Sequence, residues 1–146
     1  MVRRITEKDR DEYLKMTAAF YETDAVAKKI PEEFRIRTFE ELMRSDVYAQ
    51  AYILEADGQT AGYALLSKTF SQEAGGMVVW IEELFMKDSF RGRGLGKEFF
   101  QVLFKEYGDT IRRFRLEVEP ENETAVALYK KLGFDYMDYA QMKLGE

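Results

Sequence analysis

The chain contains no cysteine and no histidine among its 146 residues. The first absence removes disulfides, a thiolate nucleophile and thiolate metal sites. The second removes the usual near-neutral acid–base group and the commonest metal ligand. Any proton transfer must therefore use carboxylate, tyrosine, lysine, water or backbone, and no metal is expected. Long apolar runs are missing too. No stretch approaches the roughly 20 apolar residues of a membrane span, and residues 1–8 have no apolar run behind them, so a cytoplasmic location is expected, with no membrane partner. A net charge of −5 argues against nucleic acid and suits a cationic partner. What remains is 46% hydrophobic and 14% aromatic, enough for a single domain over 1–146 that buries roughly two-thirds of its unfolded surface.

Periodicity and turn signals divide the chain. Val2 to Ile5 reads as a strand, and Thr6 with Asp9 as a capping box ahead of a helix carrying Tyr13, Met16, Thr17, Phe20 and Tyr21. Pro31 interrupts the region that follows, and Thr38 with Glu41 predicts a short helix through about Arg44. Val47 to Glu55, the Asp57-Gly58 turn and Gln59 to Phe70 predict a hairpin, and Met77 to Met86 a return strand. Leu95 to Tyr107 is a helix apolar over more than half its circumference. A strand over Arg112 to Glu119, a helix over Asn122 to Leu132 stopped by Gly133, and two short strands within Phe134 to Leu144 complete the reading. The expected class is α/β (α+β): a mixed, mostly antiparallel sheet of about six to seven strands, flanked by about four helices.

The most informative segment is Arg91-Gly92-Arg93-Gly94-Leu95-Gly96-Lys97, placed between a strand and a helix. Alternating glycines at a helix N-terminus expose backbone N–H groups at the positive end of the macrodipole, which makes an anion cradle. The glycine spacing fits neither a dinucleotide fingerprint nor a P-loop, since Glu98 stands where the P-loop hydroxyl would be. About 30 residues on comes Asn122-Glu123-Thr124-Ala125-Val126-Ala127-Leu128-Tyr129-Lys130-Lys131-Leu132-Gly133-Phe134. The first segment, as Arg-x-x-Gly-x-Gly, resembles the acetyl-CoA loop of the GNAT N-acetyltransferases. The second matches their Asn-x-x-Ala-x-x-Leu-Tyr-x-x-Leu-Gly-Phe signature at every named position. The resemblance extends from about Arg3 to Leu144.

The resemblance implies a GNAT fold whose fourth and fifth strands splay, with acetyl-CoA between them and no metal. The backbone of Leu84, Phe85 and Met86 would pair with the pantetheine amides. Arg91, Gly92, Arg93, Gly94, Leu95, Gly96 and Lys97 would surround the pyrophosphate, and Asn122 and Ala125 would flank the pantetheine arm. For the basic residues a solvated rim is the competing reading, and for Asn122 a helix cap. Tyr129 would be the general acid to the coenzyme sulfur, against a core aromatic on periodicity alone. Glu82 and Glu83 sit on the strand where the family carries a bulge, which could turn both to one cleft. The bland alternative pairs them with Arg112, Arg113 or Arg115. Glu82 is favoured as base through water, with Glu83 attracting the substrate cation.

The polyamine branch of the family has a similar acidic pair here, and a Tyr-Glu pair resembling Tyr21-Glu22 at its acceptor site. Phe20 to Asp24, Glu32-Glu33, Ser71 to Glu73 and Tyr136 to Tyr139 occupy the other acceptor-binding places. The expected reaction is direct acetyl transfer to a small cationic amine. A peptide amine, an aminoglycoside, another acyl donor, or a non-catalytic acyl-CoA-sensing role are the alternatives. Many relatives dimerise through terminal strands, so a homodimer is a further expectation.

Overall fold

Where apolar side chains alternate along the chain, strands form. In the structure, a computed structural model describing residues 1–23, 25–26 and 28–145, these are β1 (Val2–Arg4), β2 (Ala49–Ala56), β3 (Gln59–Ser71), β4 (Gly76–Met86) and β5 (Arg113–Leu116). They form one sheet in sequence order, antiparallel from β1 to β4, with β5 parallel to β4. The β2–β3 hairpin turns at Asp57 and Gly58, with φ of 54° and 71°. That left-handed pair matches the twist of the flanking strands.

Helices α1 (Arg10–Phe20) and α2 (Glu32–Arg44) cover one face of the sheet, and α3 (Leu95–Tyr107) and α4 (Glu123–Lys131) the other. On the first face Tyr13, Met16, Phe20, Phe39 and Leu42 pack on Ala51, Ile53, Tyr63 and Phe85. On the second, Phe99, Phe100 and Leu103 pack on Tyr52, Leu54, Leu66, Val79 and Ile81. Ahead of α1, Asp9 accepts from the Thr6 backbone N–H at 2.8 Å and forms a two-pronged ion pair with Arg3 at 2.8 and 2.9 Å. That contact fastens β1 to the helix start.

Three boundaries differ from the sequence reading. Helix α2 begins at Glu32 rather than Thr38. Pro31, at φ −62° and ψ 147°, ends the extended approach, and Glu32 and Glu33 suit the positive first turn. The Thr38 hydroxyl is not a cap but bonds back to the Phe34 carbonyl at 2.8 Å. Strand β5 stops at Leu116. The two strands expected within Phe134 to Leu144 do not form, so the sheet has five strands. Phe134 is drawn into the α3–α4 core instead, while Met142 and Leu144 are fully exposed and Tyr136 and Tyr139 largely so.

Candidate functional site

A single extra residue in β4 creates the acidic centre of the molecule. Leu65 of β3 lies opposite Glu83, while Leu66, the next residue, lies opposite Ile81, so Glu82 has no cross-strand partner. This is a β-bulge, and it resets the alternation of side chains. Ile81 and Leu84 now both pack toward α3. Both glutamates turn to the opposite face, the one covered by α1 and α2. The Ser67 hydroxyl donates to Glu82 Oε1 at 2.5 Å. The hydroxyls of Tyr63 and Tyr21 donate to Glu83 Oε1 and Oε2 at 2.6 and 2.5 Å. Neither glutamate pairs with a cation among the described residues. Arg113 goes instead to Glu73 at 3.2 Å, and the Arg115 guanidinium stacks over Trp80 at 4.0 Å.

Glu82 is exposed and Glu83 half-buried. Burial raises the Glu83 carboxyl above its ordinary pKa, and the two phenol donors pull it part of the way back. Burial and the Glu83 charge together push the Tyr21 and Tyr63 phenols well up, so both remain donors. Along the same face, Trp80, Glu82, Arg115 and Glu117 line an open groove of about 500 Å³.

Beside this centre the sheet opens. Pairing of β4 with β5 ends at Ile81 opposite Leu116, whereas β4 runs on to Met86. The outer backbone edge of Glu82 to Met86 is therefore left without a neighbouring strand. An extended chain of amides fits such an edge, as an added strand would. Phe85 sends its side chain into the α1–α2 core, while Leu84 and Met86 pack toward α3.

From this edge the chain passes into the glycine loop. Gly92 and Gly94 have φ of 73° and 79°, the left-handed conformation that glycine adopts without strain. A Cβ on either would meet no protein atom within 4 Å, so the backbone here lies open. In α3 the Glu98 N–H bonds the Gly94 carbonyl at 3.0 Å. The preceding amides of Leu95, Gly96 and Lys97 thus lack intrahelical acceptors. This open cradle fits a pyrophosphate.

The loop cations differ among themselves. Arg93 is held by Asp57 of the β2–β3 turn through bonds of 2.9 and 3.1 Å. Arg91 reaches the Met86 carbonyl at 3.3 Å and Asp88 at 3.4 Å. Lys97 is exposed and has no partner among the described residues. Asn122 does cap α4, accepting from the Ala125 N–H at 3.3 Å; that bond occupies both residues' capping groups and leaves the Asn122 amide nitrogen free.

Tyr129, on α4, rests edge-on against Phe100 and Phe134, with centroids 6.0 Å away in each case. Its hydroxyl has no bonding partner among the described residues, and burial raises its pKa, which keeps it protonated. It lines a groove of about 560 Å³ with Leu116, Glu117 and Val118. Tyr129 therefore serves the α3–α4 face and the two glutamates the α1–α2 face. No contact joins them, but the gap beyond Ile81 and Leu116 lies between the two faces, and Glu117 lines both grooves.

Of the residues singled out for the acceptor, Tyr21 comes to Glu83, whereas Glu22 points away and pairs with Lys29 at 2.9 Å. Asp24 lies outside the described residues. Sequence reasoning missed Tyr63, which looks like an ordinary inward-facing strand aromatic. A signal for it was its place two residues before Leu65, on the same face of β3 as Leu65 and close to the bulge. Arg35, also missed, donates to the Leu14 carbonyl at 2.8 Å and to the Thr17 hydroxyl at 3.3 Å.

A family model described as the acetyltransferase (GNAT) family matches residues 11–134. The chain is 28% identical to the thialysine N-epsilon-acetyltransferase of Sus scrofa over 91% of this chain and 82% of that one. It is 28% identical to the aminoglycoside N(6')-acetyltransferase type 1 of Salmonella typhimurium over 72% and 74% of the two chains. It is 25% identical to the spermine/spermidine N(1)-acetyltransferase of Bacillus subtilis, but spans only 55% of that enzyme's length. Among solved structures, AAC(6')-Iy in complex with a bisubstrate analogue superposes with a TM-score of 0.81 at 19% identity, over 100% of this chain and 97% of that one. The ribosomal-protein-alanine N-acetyltransferase of Brucella melitensis gives 0.77 at 17% identity, over 100% and 99%. These two likenesses concern the fold alone.

Proposed function

The chain belongs to the acetyltransferase (GNAT) family, and we propose that it transfers the acetyl group of acetyl-CoA to a primary amine of a small cationic acceptor, of polyamine or diamine type. One observation carries this reading: two carboxylates, Glu82 and Glu83, share a face at the point where β4 and β5 part, and neither forms an ion pair with a cation of the described residues. Such a site calls for a positive charge from outside. The sequence relatives act, by their names, on polyamines, thialysine and aminoglycosides, which all carry amines.

Each step of the transfer falls to a different group. The coenzyme brings the acetyl thioester, and the open edge of Leu84 to Met86 with the cradle of Gly92 to Lys97 would hold it. An acceptor amine has an ordinary pKa of ~10.4, so it arrives protonated. Glu83 attracts it, and Glu82, the solvent-facing carboxylate, takes its proton through water. The nitrogen then bonds to the carbonyl carbon as the carbon–sulfur bond breaks. Tyr129 gives its proton to the departing sulfur, whose thiol has a free pKa of roughly 8.5, and is restored by the second proton that the nitrogen loses on becoming an amide. Holding both partners in one cleft supplies much of the rate through orientation. With no cysteine in the chain, transfer is direct rather than through a thioester on the protein.

Thiol release from acetyl-CoA against a panel of polyamines, diamines, amino acids, peptides and aminoglycosides tests the reading; release that requires an amine supports it, and coenzyme binding without release from any amine refutes it. The proposal extends to a homodimer. The unpaired outer edge of β5 and the exposed apolar residues after Phe134 support self-association, and sedimentation velocity would show a species of twice the monomer mass.

A further inference from the structure

Glu83 is held in a way that ordinary packing does not require. Its two oxygens receive separate phenol donors at 2.6 and 2.5 Å, from Tyr63 on β3 and Tyr21 just after α1. Bonds this short suit a hydroxyl donating to an ionised carboxylate. Tyr63 is wholly buried, and its ring is fixed by Tyr13 at 5.4 Å and Phe85 at 5.8 Å. Its hydroxyl is therefore aimed by the core and has Glu83 as acceptor.

Among the described residues no ion pair answers this carboxylate's charge. The groups facing it are Tyr13 and Tyr21 from the α1 side, Arg35 from α2, Tyr63 from β3 and Glu82 beside it on β4. Arg35 is the one cation in that set. Its guanidinium is engaged by the Leu14 carbonyl and the Thr17 hydroxyl, and it makes no ion pair with Glu83.

We infer that Tyr63 and Tyr21 form a two-phenol clamp that keeps Glu83 an ionised, fixed anchor for the acceptor's ammonium group, which makes Tyr63 a positioning residue of the acceptor site. This rests on the acetyltransferase reading for the identity of the cation, though not for the clamp itself. Each bonded oxygen keeps a further lone pair for the incoming ammonium. The clamp opposes the effect of burial, since donors to the charged form favour it. It also gives the two glutamates separate roles, for Glu83 anchors while Glu82 exchanges protons with water.

Two measurements test it. Carbon-13 NMR of glutamate-labelled protein, assigned with Glu83→Gln, follows the Glu83 carboxyl through its titration without any need for turnover. Tyr63→Phe keeps the ring and removes only the donor, so the midpoint moves to higher pH; Tyr21→Phe, at a less buried position, does the same. An unmoved midpoint in both variants overturns the clamp. Steady-state kinetics with the best amine then reads the anchor. In Tyr63→Phe the acceptor KM rises about tenfold, the loss of one bond to a charged group, by more than kcat falls, and the acid limb of kcat/KM moves upward with the NMR midpoint. A loss confined to kcat, or an unchanged KM, overturns the anchoring role. Absence of amine-dependent release in the unsubstituted protein would sink the acetyltransferase reading, while the titration would still decide the clamp.

Discussion

Tyr129 shows how one hydroxyl can be tested apart from its ring. The ring packs on Phe100 and Phe134, but the oxygen bonds nothing among the described residues. Tyr129→Phe therefore leaves stability and acetyl-CoA affinity nearly unchanged and lowers kcat by about 10²-fold or more, as loss of a general acid does. A large loss of coenzyme affinity, measured calorimetrically, would make the tyrosine structural. The residue scale is also where sequence reading fell shortest. Glu82 and Glu83 were visible as misplaced carboxylates between Ile81 and Leu84. Their common face depends on one bulge, which the family resemblance led one to expect although no periodicity in a single sequence reveals it. Tyr63 could not be told from its core neighbours, because burial and alternation are the same for a phenol that packs and one that donates. The Tyr21-Glu22 pair divides in the structure, since adjacent residues beyond a helix end point apart, one to Glu83 and the other to Lys29.

Among the elements, the glycine loop and the β3–β4 pair are the ones the proposed function assigns to the acetyl donor. Gly94 stands at φ 79° with open space around it, so its requirement comes from backbone conformation and from access, not from crowding by protein. Gly94→Glu places a side chain and a negative charge over the cradle; acetyl-CoA binding should fall below detection in a protein whose thermal melt remains cooperative. Normal affinity in that variant would mean that the loop does not hold the coenzyme. Gly62 is the contrasting case. A Cβ there would lie 2.1 Å from the Phe85 carbonyl oxygen and 2.9 Å from the Met86 sulfur. Gly62→Ala must push β4 away from β3, at a cost of roughly 1–3 kcal/mol as for overpacking, read as a lower melting temperature together with weaker coenzyme binding. The elements themselves were mostly legible, since α1, α3, α4 and the β2–β3–β4 meander have clear periods, caps and turns. The tail was not, because alternating apolar residues after Phe134 do not by themselves make a strand, and they leave the outer edge of β5 unpaired.

Across the whole molecule, a net charge of −5 and the unpaired acidic pair predict an acceptor drawn in by electrostatics. Raising ionic strength from about 0.01 to 1 M shortens the screening length from roughly 30 to 3 Å, so KM for a cationic amine should climb several-fold. An acceptor KM indifferent to salt would detach the carboxylates from substrate capture. The family was legible at this scale because two separated segments, around Gly94 and around Tyr129, agree with each other and with the order of elements between them. The acceptor was not, because the site proposed for it draws on α1, β3, β4 and β5, which are distant in sequence. Whether the molecule acetylates amines is decided by amine-dependent release of coenzyme A thiol from acetyl-CoA, read without background because the protein has no thiol of its own. Release is expected with small cationic amines, and it should be abolished in the double variant Glu82→Gln, Glu83→Gln. Release that is equally fast without an amine, or unaffected by the double substitution, would contradict an acidic site that captures and deprotonates the acceptor.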